Sequence, residues 1–231
     1  MGMESRGCEF ICGQRGMGKT SYIREEILPS ETRCIIYDHM AEYLQAPGFS
    51  FVNDWESLCD RVSKAGRGFL KVAYIPTEAT PEDFARFCRL PFATYGLDLI
   101  CDEIDQFATA ISVPSEFKRL VHFGRHYNSR FIGASRRPAD VARAFTSQAY
   151  KIICFRQSEP RDIMYLKSFC GDRAEEIQYL EPLHYLSFEN QDVTEGCLSF
   201  APEEAEEEGE GEADLRKGEE DERGQDGEDS E

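Results

Sequence analysis

Cys8-Glu9-Phe10-Ile11-Cys12 runs directly into Gly13-Gln14-Arg15-Gly16-Met17-Gly18-Lys19-Thr20, and this junction decides the fold. A short apolar run bounded by glycine reads as a buried strand. The residues after it match the spacing Gly-x4-Gly-Lys-Thr. In such a loop successive backbone N–H groups turn inward around an anion, and glycine permits the torsions that a Cβ would block. The helix that opens near Gly18 aims its N-terminus at the same point. Lys19 reaches the β- and γ-oxygens of a bound nucleotide, and Thr20 offers a hydroxyl to Mg²⁺. With Ser21 beside it, the run Gly13, Gln14, Arg15, Gly16, Met17, Gly18, Lys19, Thr20 is the expected binding set for ATP with Mg²⁺. A chance glycine-rich turn would not sit between a strand and a helix.

Outward from this loop, apolar runs alternate with helical patterns across residues 8–190. The first helix spans Gly18–Leu28 and stops at Pro29. Arg33–Asp38 is a second strand. Asp54 caps a helix to about Ala65, with Leu58 and Val62 on one face. Phe69–Ile75 is a third strand, and Thr80-Pro81-Glu82-Asp83 starts a helix to about Leu90. Leu97–Cys101 is a fourth strand, Ser115–Tyr127 an amphipathic helix, Arg130–Ser135 a fifth strand and Tyr150–Phe155 a sixth. A helix from about Pro160 to Phe169 and a strand at Tyr185–Phe188 follow. Strands separated by helices predict an α/β fold, a mostly parallel sheet with helices on both faces; the resemblance carried by later stretches of the chain implies that it is of the P-loop NTPase type (RecA/FtsK-like).

The fourth strand ends at Asp102-Glu103. A carboxylate there suits Mg²⁺, directly or through water, and the next one suits orienting and polarising an attacking water. That arrangement, a Walker B, points to hydrolysis of ATP on the protein itself rather than transfer to a small molecule. Acidic residues decorating a helix N-terminus would look the same in isolation.

Four further stretches carry a family resemblance: Ile35-Ile36-Tyr37-Asp38-His39-Met40-Ala41-Glu42-Tyr43, the Asp102-Glu103 pair, the strand end Ser135-Arg136-Arg137-Pro138, and Phe155-Arg156-Gln157-Ser158-Glu159-Pro160-Arg161-Asp162. Together with the phosphate loop, they resemble the FtsK/HerA superfamily of DNA-pumping ATPases, in particular its viral and phage genome-packaging branch. The resemblance covers about residues 8–190. It implies an oligomeric ring that hydrolyses ATP, grips double-stranded DNA without reading its sequence and drives it into a preformed capsid. It implies a capsid or portal-vertex partner and a place in the host cytoplasm or at the packaging vertex of the virion. It also implies an arginine finger, inserted beside a neighbour's γ-phosphate and contributing about 10³–10⁵ in rate. Arg161 is the first candidate, then Arg125 and Arg156; each also suits an ordinary surface ion pair. One departure stands out. The family's sensor Gln is replaced by Arg136, which can hydrogen-bond a phosphate but cannot accept a hydrogen bond from the water. That keeps open a slow nucleotide-dependent switch. A filamentous-phage assembly ATPase of the zonula-occludens-toxin type, exporting single-stranded DNA, is another reading, though such proteins carry a membrane-spanning segment.

Asp38 and Glu42 follow a strand end and suit either water positioning in the nucleotide crevice or capping of the next segment. Lys64, Arg67 and Lys71 form one basic cluster, and Lys118, Arg119, His122, Arg125 and His126 another. Either suits a DNA backbone, and either suits plain solvated surface.

Charge divides the 231 residues. Sixteen of the last 31 are acidic and three are basic, a net of −13 out of −18. Residues 1–200 are therefore expected to form the ATPase domain, and residues 201–231 a disordered acidic tail, either solubilising or mimicking nucleic acid. The nine cysteines include no CxxC pair and sit mostly in apolar runs, which argues against a zinc site or a disulfide framework and for a reducing compartment. No apolar run has membrane-spanning length.

Overall fold

The computed structural model describes residues 7–189 and 192–199. The expected acidic tail lies outside the described residues. Nine strands form one sheet in the order β3-β4-β2-β5-β6-β1-β7-β8-β9. They are β1 (Cys8–Cys12), β2 (Arg33–Tyr37), β3 (Ser50–Val52), β4 (Leu70–Tyr74), β5 (Asp98–Cys101), β6 (Phe131–Ser135), β7 (Ala149–Phe155), β8 (His184–Glu189) and β9 (Asp192–Cys197). The strands from β3 across to β7 are all parallel, while β8 and β9 add antiparallel at the β7 edge. The central strands β1, β2, β5 and β6 are buried along their whole length, as a sheet covered on both faces requires.

The helices are α1 (Lys19–Tyr22), α2 (Trp55–Ala65), α3 (Pro81–Phe87), α4 (Leu90–Ala93), α5 (Ser115–Phe123), α6 (Arg143–Thr146) and α7 (Pro160–Cys170). The predicted caps are in place: Asp54 accepts from Ser57 N at 2.8 Å, and Thr80 Oγ1 accepts from Asp83 N at 3.1 Å. Coverage of the two faces is uneven. Leu58, Phe84, Phe117, Phe145 and Leu166, from α2, α3, α5, α6 and α7, share one apolar core. The opposite core is smaller and rests on Tyr22, Ile23, Ile27 and Tyr43.

Several elements depart from the sequence pattern. The first helix is α-helical only to Tyr22 and continues as a π-turn, Ile23–Ile27, in which Leu28 N donates to Ile23 O at 2.9 Å. The helix after Thr80 breaks at Phe87 and resumes as α4, led by Pro91, which fits a first turn but cannot continue a helix behind it. The helix after Ser115 tightens to a 3₁₀ turn at Gly124–Tyr127. Strand β3 is too short for its alternation to register, and β9 (Asp-Val-Thr-Glu-Gly-Cys) is mostly exposed and polar. Both take their strand identity from the neighbour they pair with. All nine cysteines are free thiols, seven of them buried, as a packing role requires.

Candidate nucleotide-binding and hydrolysis site

The carboxyl ends of β2, β5, β6, β1 and β7 lie side by side, because these strands are parallel and adjacent. In an open parallel sheet that edge is where a ligand binds. Gly13 through Thr20 leave β1 there. Gly13 N donates to Ser135 O at 3.2 Å and Gln14 N to Arg156 O at 2.9 Å, so the loop is suspended between the ends of β6 and β7. Gln14 Nε2 adds a 2.5 Å bond to Ser158 Oγ. A Cβ on Gly18, where φ is +119°, would stand 2.9 Å from the Phe155 ring. A Cβ on Gly16 would meet nothing, and Arg15 and Gly16 are exposed, as the open side of an anion cradle must be. Met17 ties the loop to the last strands by accepting from Leu183 N at 3.0 Å.

Lys19 is buried and donates to Gln14 O at 3.1 Å. Burial pulls its ammonium below the ordinary lysine value; Asp102 opposes the shift and Arg136 adds to it. The cation is thus held across the mouth of the loop, where polyphosphate oxygens would complete its shell. Thr20 Oγ1 donates to Asp102 Oδ2 at 2.9 Å and lies 3.3 Å from Glu42 Oε2. A hydroxyl oxygen with free lone pairs beside two carboxylates is a hard oxygen donor set and fits Mg²⁺. Thr20 and Asp102 would hold it, and it would neutralise charge on the transferred phosphate.

Tyr43, which closes the resemblance stretch after β2, has its buried hydroxyl donating to the same Asp102 Oδ2 at 3.0 Å, a contact the sequence does not show. Asp38 explains how it arrives there. Its carboxylate accepts from Glu42 N and Tyr43 N, both at 2.8 Å. Asp38 therefore caps the turn after β2. Burial pushes its carboxyl up, against those two bonds. Of the two readings of this strand end, the capping one holds for Asp38, while Glu42 reaches the site. Arg24, one turn along the first helix, clamps the same turn by donating to Glu42 O and stacking 5.5 Å over the Tyr43 ring.

Glu103 takes a left-handed backbone, φ 57° and ψ 47°, and donates its N–H to Asp102 Oδ1 at 3.0 Å. A non-glycine residue held there costs about 1–3 kcal/mol. Its carboxylate pairs with the Arg136 guanidinium, and His39 Nε2 lies 3.7 Å away. Arg136 therefore does stand at the nucleotide edge, between loop and acidic pair.

The other arginines part company. Arg161, on α7, is 61% exposed and pairs with Asp140 at 2.7 Å. Arg156 contributes its carbonyl to the loop. Arg125 lies in the turn before β6, in a cleft of about 890 Å³ with Glu31, Asp98 and Arg130. That is the amino end of the sheet, a strand length or roughly 17 Å from the phosphate-loop edge. In its own subunit Arg125 therefore stands away from the phosphate-loop edge, a placement that leaves it free to act only on a neighbour's site; helical spacing shows a face but not which end of the sheet it borders. The first basic cluster is engaged: Lys64 pairs with Asp60 at 2.7 Å, Lys71 donates to Leu28 O at 2.7 Å, and Arg67 stacks 5.5 Å from Tyr95. In the second, Arg119 stacks 4.2 Å from Phe92.

No protein family model matches the chain. Its structure superposes on the genome-packaging NTPase B204 of Sulfolobus turreted icosahedral virus 2, solved with ATPγS, with a TM-score of 0.73 over 86% of this chain and 100% of that one, at 20% identity. The two chains share one fold. B204 of Sulfolobus turreted icosahedral virus, a DNA-packaging ATPase, gives 0.68 over 84% of this chain and 98% of that one at 22% identity. VirB4 of Thermoanaerobacter pseudethanolicus gives 0.61 over 84% and 90% at 12%. In sequence, the chain is 26% identical over 149 residues to protein P9 of Pseudoalteromonas phage PM2, covering 63% of this chain and 66% of the phage protein. These likenesses are likenesses of fold, and the mostly parallel P-loop architecture stands.

Proposed function

We propose that this chain is an ATP-hydrolysing DNA translocase that packages a viral genome, working as a ring of identical subunits in the infected cell and docking at the capsid vertex. The observation that carries the reading is the meeting of Lys19, Thr20, Asp102 and Glu103 at one sheet edge within a fold that matches a packaging NTPase along its whole length. Backbone N–H groups of the loop and the Lys19 ammonium hold the phosphates. Thr20 and Asp102 would hold Mg²⁺, which would offset charge on the γ-phosphate. Glu103 accepts a hydrogen bond from a water aligned with that phosphate. The water oxygen bonds to phosphorus, the bond to the bridging oxygen breaks, and ADP leaves with the electron pair while the proton passes by way of Glu103 to solvent. Among the described residues no helix is long and apolar enough to cross a membrane.

The test is turnover of Mg-ATP by the purified full chain, with and without double-stranded DNA. DNA is expected to stimulate hydrolysis, and Lys19→Ala to lower it about 10²–10³-fold, as when a preorganised donor to the transition state is removed. A wild-type protein that binds ATP and never turns it over, with or without DNA, sinks the proposal.

A further inference from the structure

Arg136 is bonded to the residue that hydrolysis needs free. Its backbone is pinned: Gln157 Nε2 donates to its carbonyl at 2.8 Å, and the flanking Arg137 N donates to Ser135 Oγ at 2.9 Å. Only the side chain is left to move. That side chain is 39% exposed, against 15% for Glu103, so the cation lies at the mouth of the crevice and the carboxylate inside it. The strand order sets β6 between β1 and β5, which puts the guanidinium between the phosphate loop and the acidic pair. Its charge also reaches Lys19. Two cations facing one space favour an anion between them, and a third phosphate supplies one. A guanidinium binds carboxylate and phosphate oxygens through the same fork of N–H donors, so it cannot serve both fully at once.

We propose that Glu103 and the γ-phosphate compete for Arg136, so that a triphosphate, and not a diphosphate, draws the guanidinium off Glu103 and releases that carboxylate to the water. Arg136 is thus a positioning residue that reports the third phosphate by letting go of the base. This deepens the hydrolytic reading above and rests on it. It also gives the arginine a task that needs no hydrogen bond from the water, which a guanidinium cannot accept. His39, within 3.7 Å of Glu103, remains beside the carboxylate when Arg136 leaves.

A double-mutant cycle read by binding alone tests the latch. Affinities for Mg-AMPPCP and Mg-ADP are measured by calorimetry on the full chain for wild type, Glu103→Gln, Arg136→Gln and the double variant. The analogue is not hydrolysed, so blocked turnover does not distort the result. Glu103→Gln removes the competitor and is expected to tighten the analogue about 3–5-fold, the upper scale of a partly exposed ion pair with one charge lost. Arg136→Gln is expected to weaken the analogue by a similar factor. In the Arg136→Gln background, Glu103→Gln should then change little. ADP affinity should stay within about twofold throughout. If Glu103→Gln tightens the analogue equally in both backgrounds, the effect is plain charge repulsion and the latch is overturned. If it tightens neither, the latch is equally overturned, while hydrolysis abolished by Glu103→Gln would leave the motor reading standing. A wild type that binds neither nucleotide would overturn both.

Discussion

Replacing Tyr43 with Phe removes one hydrogen-bond donor from Asp102. The ring is fully buried in the smaller core, so Phe keeps the packing and the change isolates the hydroxyl. That hydroxyl donates to Asp102 Oδ2 at 3.0 Å, and the oxygen keeps one other donor, Thr20, at 2.9 Å. A hydrogen bond to a charged group is worth about 1.5–3 kcal/mol. Because Thr20 still serves the same oxygen, the lower figure of about 1.5 kcal/mol applies. Since 1.4 kcal/mol is tenfold in an equilibrium constant, the Mg²⁺ concentration that half-saturates ATP turnover should rise about tenfold, within the range for a partner that orients a metal ligand. The assay is turnover at saturating ATP across a Mg²⁺ titration, with a melting curve alongside. Melting should fall by a few degrees, about 2–4 °C per kcal/mol for a chain of this size. A Tyr43→Phe protein with unchanged Mg²⁺ dependence would refute the claim that Tyr43 orients Asp102 toward the metal.

Two further outcomes are expected. Arg130 draws together buried Glu9, Glu31 and Asp98 at the amino end of the sheet, with Arg130 Nη1 at 2.6 Å from Glu9; Arg130→Ala takes away the cation these three carboxylates share, while Glu9 keeps the Tyr150 hydroxyl and Asp98 the backbone N–H of residue 130, and should cost about 3 kcal/mol by urea melting, and a loss under about 1 kcal/mol would show that the cluster carries little. Arg161 gives up an exposed pair with Asp140, worth about 0–1 kcal/mol, and a long 3.5 Å bond to Ala139 O, so Arg161→Ala should melt close to wild type and bind ATP, yet lose turnover and regain part of it when mixed with Glu103→Gln subunits; absence of rescue argues against a finger acting between subunits.

The phosphate loop, the acidic strand end and the alternation of strand and helix were legible in the sequence because each is written in consecutive residues. Glycine spacing, apolar runs and the Asp54 and Thr80 caps need no neighbour in space. Where local and tertiary preferences diverged, reading failed: β9 is a polar segment made a strand by pairing with β8, and the first helix widens into a π-turn before Pro29. The identities Lys19, Thr20, Asp102 and Glu103 could be taken from the chain, but not their partners. Thr20 and Asp102 are 82 residues apart, Tyr43 and Asp102 59. They meet only because β2 and β5 are neighbours and β6 lies between β5 and β1. Strand order is a property of how buried faces pack, and a pattern of apolar residues says which side of a strand is inside without saying which strand stands next to it. The sequence thus determined which loop follows β1 and which carboxylates end β5, the residues proposed to hold the nucleotide. The tertiary structure decided that Asp38 is a cap, that Tyr43 serves Asp102, that Arg125 stands at the far end of the sheet, and that Arg136 holds Glu103.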